Sequence, residues 1–185
     1  MKQLTLLIAC ALPLAACSSE PEVDVRNASV EEVMNEVADA GGSEILLRPG
    51  KWQTKVTVED ISIPGMPAAA QAQMKDVFTR QQNVTVDHCV TPEQAKRPDG
   101  DFFTGKKSAN CRYDRFTMSG GKVDAVMRCT GEQSTDMTMT MSGTYTADSS
   151  STRTEMVVNS GPQGSMTMKA RSEAKRVGDC DGKEG

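Results

Sequence analysis

Only one histidine, His88, occurs in the 185 residues, and aromatic side chains make up 4%, with a single tryptophan. No Gly-x-Ser-x-Gly, His-Glu-x-x-His or phosphate-binding glycine loop is present, so the commonest hydrolase, zinc-peptidase and nucleotide-binding chemistries have no motif to rest on. There is no Cys-x-x-Cys, which removes the spacing that thioredoxin-type and zinc-knuckle sites need. Basic residues are not in excess: 21 Lys and Arg against 25 Asp and Glu leave a net charge of −4, without the basic stripe that nucleic acid requires. The longest apolar run, residues 4–14, is too short to span a bilayer. Leucine is concentrated in the first 16 residues. The remaining chain must build its core from Val, Ala, a few aromatics and an abundance of Met, 12 residues in all. Such a core is thin, and covalent cross-links would help it.

What is present begins with an address. Lys2 and the apolar run after it have the form of an export signal over residues 1–16. Leu14-Ala15-Ala16-Cys17 resembles a bacterial lipobox, which implies cleavage before Cys17 and acylation of that cysteine. Several acyl chains hold a protein to a membrane where a single chain binds only marginally. Ser18, rather than an acidic residue, follows the cysteine; by analogy this favours the outer membrane. Residues 17–28 then form the lipidated cysteine and a polar tether.

Residues 29–42 are expected to be a short helix. Ser29 precedes Glu32 by three, the capping-box spacing, and Val30, Val33, Met34, Val37 and Ala38 share one helical face before Gly41-Gly42 stops it. Residues 44–180 read as one mainly β domain of α+β type. Trp52, Thr54, Val56 and Val58 alternate with polar neighbours on a first strand running to about Ile61. An inserted helix over residues 66–81 carries a stripe of Met66, Ala70, Met74, Val77 and Phe78 and is expected to lie across the sheet. A second strand over 83–90 leads to a short helix over 91–96, with Thr91 as cap and Pro92 in its first turn. The stretch 111–147 is the organising centre, two alternating hairpins around Gly120-Gly121. Its last strand sends Met137, Met139, Met141, Gly143 and Tyr145 to one side, and Asp136, Thr138, Thr140, Ser142, Thr144 and Thr146 to the other. Two further strands, 151–159 and 165–175, follow, and residues 181–185 are expected to be a disordered tail. The expected architecture is an antiparallel meander of about seven strands, curved or closed into a partial barrel.

Of six cysteines, Cys10 leaves with the signal and Cys17 takes the lipid, which leaves Cys89, Cys111, Cys129 and Cys180. An even number in an exported chain implies two disulfides, and four cysteines allow three pairings. The expected pairing is Cys89 with Cys111, closing a modest loop around Phe102-Phe103, and Cys129 with Cys180, tying the end of the chain to a central strand, each stabilising by roughly 3 kcal/mol.

Several of these pieces together resemble the bacterial exported proteins that carry domain of unknown function 3617. They are Pro49-Gly50-Lys51-Trp52, the segment Cys89-Val90-Thr91-Pro92-Glu93-Gln94-Ala95, the Cys111 strand with its Gly120-Gly121 hairpin, the Cys129 strand, and Gly178-Asp179-Cys180. The resemblance covers about residues 46–180 and implies an exported or lipid-anchored domain. It implies no activity, ligand or catalytic residue, and the helix over 29–40 lies outside it.

Chemistry is weighed on three features. His88 adjoins Cys89, but neighbours on a strand face opposite ways, which disfavours a Cys–His nucleophilic pair, and no catalytic residue is assigned. The pair Phe102-Phe103 in a polar loop is a contact candidate or a tucked-under anchor. Met137, Met139 and Met141 offer soft thioethers suited to Cu(I), in the vicinity of Met127, Met156, Met166 and Met168; against that, Met also fills irregular cores, and strand-alternate residues stand roughly 6–7 Å apart. The expectation is therefore a lipid-anchored envelope protein facing the periplasm. It acts as a non-enzymatic binding or accessory module for an apolar ligand or envelope protein partner, with no cofactor. A Met-based copper-binding protein is the alternative. Substituting Cys17→Ala is expected to move the protein from the membrane to the soluble fraction on cell fractionation; retention in the membrane would overturn the anchor.

Overall fold

The computed structural model describes residues 23–41, 47–82, 84–96, 110–131, 135–161 and 164–181. The expected targeting segment, Cys17, the Phe102-Phe103 pair and residues 182–185 lie outside the described residues. In chain order the elements are β1 (Val23–Ser29), α1 (Val30–Asp39), β2 (Gly50–Ser62), α2 (Ala68–Gln82), β3 (Val84–Val90), α3 (Pro92–Lys96), β4 (Cys111–Ser119), β5 (Lys122–Thr130), β6 (Asp136–Thr146), β7 (Ser149–Asn159) and β8 (Ser165–Gly178). The eight strands form one antiparallel sheet in the order β1-β4-β5-β6-β7-β8-β2-β3, which stays open between its edges β1 and β3.

The helices start where local chemistry dictates. At the head of α1 the Ser29 hydroxyl accepts from the Glu32 N–H at 3.2 Å, and the Ser29 N–H donates back to the Glu32 carboxylate at 2.6 Å. That second bond holds the Glu32 carboxyl below its ordinary pKa, helped by the Ser29 hydroxyl. Thr91 and Gln94 repeat the reciprocal arrangement at α3, at 3.0 and 3.2 Å. Between β4 and β5, Gly120 and Gly121 have φ of 55° and 70°, the left-handed pair that a two-residue hairpin turn demands.

The strands obey a strict two-face rule. Val23, Ala28, Tyr113, Phe116, Met118, Val123, Ala125, Met127 and Tyr145 are buried on one face, against Val33, Met34 and Val37 of α1. The other face is charged and wet. There Arg128 and Asp114 pair at 2.6 Å, Lys169 and Glu155 at 3.5 Å, and Arg171 and Glu173 at 2.9 Å, exposed pairs that add little stability singly. Alternation breaks at two register shifts, and in β1 between Val25 and Ala28, where Asn27 has φ of 49°. Tyr113 and Phe116 both point inward although three residues apart, their rings meeting edge to face at 5.4 Å, because the ladder with β5 shifts register between Tyr113 and Arg115. Val58 and Ile61 do the same across a shift between Val58 and Asp60. In each case one extra residue bulges outward and restores the apolar face beyond it. Gly143 interrupts the inward row of β6 for another reason: a Cβ there would strike the Ser151 carbonyl and lie 2.8 Å from the Thr152 Cα.

Three expectations change. Residues Val23–Ser29 are not tether but an edge strand. Val23, Val25 and Ala28 lie opposite Met118, Phe116 and Tyr113, and the intervening Asp24, Arg26 and Asn27 give the segment the polar look of a linker. The helix α2 does not cross the sheet broadside. It lies mainly against β2, tied by Lys75 to Asp60 at 2.9 Å, and none of its described side chains is buried. The cysteine pairing also differs. The bonds are Cys89–Cys180 and Cys111–Cys129, with Cα–Cα distances of 5.6 and 4.0 Å. Cys111 and Cys129 stand directly opposite each other on adjacent strands. Cys89 opposes Lys51, which in turn opposes Gly178, so Cys180 lies just past the end of β8 and reaches across β2. Strand order, invisible in loop lengths, decides both bonds.

The chain reaches β2 by a strap across the far end of the sheet. Arg48 N–H donates to the Ala147 carbonyl at 2.9 Å, its guanidinium meets Asp148 at 3.1 Å, and the Trp52 indole donates to the Arg48 carbonyl at 2.9 Å. Beneath it Leu47, Trp52, Val90 and Ala95 form a second small core. Non-reducing tryptic digestion followed by mass mapping is expected to join peptides 108–112 and 129–153, and peptides 81–96 and 177–183. Any crossed product would contradict the strand order.

Candidate functional site

Opposed residues in an antiparallel ladder share a face, so the register assembles the inward side chains into rows. One row runs Met127, Met139, Met156, Met168 across β5, β6, β7 and β8. A second runs Cys129, Met137, Val158, Met166, and a third Ala125, Met141, Thr154, Ala170. Seven of the 12 methionines thus gather on one face of four neighbouring strands.

Cover varies along the rows. Met127 is only 1% exposed within the core beneath α1, and Met137, Met139 and Met141 pack against the margin of that core. Met156, Met166 and Met168 are half-buried and belong to neither core cluster. Toward β3 the apolar face becomes openly solvent-exposed, at 41% for Val84 and 49% for Val86. The result is an apolar face sealed beneath α1, buried again on β2 at Trp52, Val58 and Ile61, and only half-covered on β7 and β8 between them. It holds Met137, Met139 and Met141 as the alternation of β6 predicts, and it adds the four further methionines from β5, β7 and β8. What a single strand could not reveal is their direct opposition across strands, which depends on β7 and β8 following β6 as consecutive hairpins.

The other candidate residues sort differently. His88 is half-buried on β3, on the same face as Trp52 opposite it. Burial lowers its pKa below the ordinary 6.5, and the Asp87 carboxylate opposes that shift. Its neighbour Cys89 is bonded to Cys180, so no thiol is available to it as a nucleophile. Burial likewise pushes the Tyr113 hydroxyl up, as befits a core phenol. Among the described residues no group of three His, Cys, Asp or Glu converges as a metal site. A shallow depression of about 330 Å³ lies beside the Cys89–Cys180 bond, lined by Pro49, Gly50, Val90 and Pro92, and contains none of the methionines.

The His88 shift has a sign. Because the folded state resists protonation below 6.5 while the unfolded chain does not, stability is complete above that value and falls as pH drops through it toward the folded pKa. The His88 resonances are expected to titrate below 6.5, and urea midpoints to fall between about pH 7 and pH 5. In His88→Gln that histidine-dependent fall is expected to vanish; its persistence would assign the effect to other groups.

Comparison with curated proteins and with solved structures finds no match in either. A family model does match, over residues 47–180, under the description protein of unknown function, DUF3617. The match begins at the strap residue Leu47 and ends at the disulfide residue Cys180, so it takes in β2 to β8 and both cores' sheet scaffold while β1 and α1 precede it. Covering well over half of the chain, it places this protein in the DUF3617 family.

Proposed function

We propose that the protein is a lipid-anchored envelope module facing the periplasm that binds an apolar ligand on the open part of its methionine face, without catalysing a reaction. The observation that carries this reading is the half-covered stretch of β7 and β8 that lies between two buried parts of one apolar face. Met156, Val158, Met166 and Met168 are half-buried between the core under α1 and the buried Val58 and Ile61 of β2, and Val84 and Val86 of β3 are exposed beyond. Methionine is unbranched and polarizable, so a surface built of it adapts to ligands of irregular shape. Binding sites of this kind are apolar concavities with few polar groups. The lipobox-like Leu14-Ala15-Ala16-Cys17 and the two disulfides support an exported location. The alternative, copper binding by thioethers, is favoured by the direct opposition of methionines on consecutive strands.

The test is an apolar fluorescent probe, with native mass spectrometry of the protein isolated from a periplasm. Wild-type protein is expected to enhance the probe's emission and to carry an added organic mass. Val158→Lys, which sets an ammonium between Met137 and Met166, is expected to weaken probe binding by about tenfold or more while melting as a folded protein. Equal binding by Val158→Lys would remove this face as the site.

A further inference from the structure

A row of three directly opposed thioethers is a coordination geometry as well as a surface. Met139 opposes Met156, and Met156 opposes Met168, all on one face. The outer two backbones stand about 10 Å apart, two inter-strand spacings, with Met156 midway between them. Along one strand, alternate residues diverge and their sulfurs do not meet readily. Across strands the neighbours are about 5 Å apart, and a side chain with three rotatable bonds lets the outer sulfurs lean toward the central one. Met139, Met156 and Met168 are half-buried residues of an apolar face, whereas Met127, which ends the row, is sealed in the core.

We infer that Met139, Met156 and Met168 form a three-thioether site for one soft monovalent cation, Cu(I) or its analogue Ag(I). Thioethers are neutral, carry no proton at ordinary pH and rank among the softest protein ligands, which selects a soft, singly charged ion over Zn(II) or Cu(II). Among the described residues no cluster of His, Cys, Asp or Glu competes for the harder ions. Metal uptake on this row releases no proton, unlike uptake by Cys or His ligands. The ion is a ligand in this assignment, and no redox step is attached to it. The inference deepens the copper alternative above and is independent of the apolar-ligand reading, since either occupant could be absent without the other.

The deciding experiment titrates the folded, disulfide-intact protein with Cu(I), kept reduced by ascorbate under anaerobic conditions against a competing chelator, and repeats it with Ag(I). One equivalent is expected to bind more tightly than about 1 μM, with affinity unchanged between about pH 5 and pH 7.5 and an all-sulfur first shell in X-ray absorption. Met156→Leu keeps the apolar volume and removes the central sulfur; it is expected to lose at least tenfold in metal affinity while melting as the wild-type protein does. Met74→Leu, on α2 and outside the row, is expected to leave metal binding unchanged. Retained affinity in Met156→Leu, nitrogen or oxygen in the first shell, or no uptake by the wild-type protein would each overturn the site. Failure of uptake with intact probe binding would leave the apolar-ligand reading standing; loss of the probe by Val158→Lys bears only on that reading.

Discussion

A single sheet with one apolar face is stable only where something lies upon that face. This constraint governs the whole molecule. Eight strands send their Met and aromatic side chains and most of their Val to the same side, and one ten-residue helix, α1, is the principal cover. The helix spans the β1, β4 and β5 end, where burial is nearly complete for Tyr113, Phe116, Met118 and Met127. At roughly 25 cal/mol per Å² of apolar surface removed from water, the side chains buried at this end, with Trp52, Val58, Ile61 and Val90 on β2 and β3, supply the hydrophobic stabilisation, and the half-buried methionines between them contribute less. The half-covered methionines and the exposed valines of β3 are the direct result of a cover shorter than the face.

The two disulfides and the strap stand where that shortage matters. Cys111–Cys129 closes the mouth of the β4–β5 hairpin within the covered end, and Cys89–Cys180 gathers β3, β2 and the end of β8 at the sparsely covered one. There the second core is only Leu47, Trp52, Val90 and Ala95 with Ala174 beside it. A covalent bond across β2 restricts the unfolded chain at the end that holds this smaller core. The strap adds polar contacts of its own through Arg48, Asp148 and Trp52.

Much of this was legible in the residues, and the gaps have physical causes. The Ser29–Glu32 and Thr91–Gln94 boxes, the Gly120-Gly121 turn and the alternation of β6 are local signals, and local structure follows them closely. β1 hid because its outward residues are charged and its inward ones small. The disulfides hid because they depend on strand order: β2 inserts between β8 and β3, a long-range choice that no spacing records. The methionine row hid for the same reason, being a property of three strands at once. One signal was available and subtle. Tyr113 with Phe116, and Val58 with Ile61, are apolar pairs three apart in strands otherwise of period two, the trace that a bulge leaves in a sequence.

The bulge at Asp114 reaches further than its size suggests. On the turn side of it, Arg115 opposes Val126; past it, Tyr113 opposes Met127 and Cys111 opposes Cys129. Were Asp114 held in an uninterrupted ladder instead of bulging, Arg112 would come into line with Cys129, Tyr113 would turn outward and the two sulfurs would fall on different rungs. The length of this hairpin is therefore encoded in units of single residues, and its covalent connectivity is coupled to that count. Loops elsewhere can lengthen or shorten at small entropic cost. Here one residue more on β4 must bulge, as Asp114 does, before the two sulfurs can meet, so the strand behaves less like a ribbon of interchangeable residues than like a key whose teeth must all fall in step.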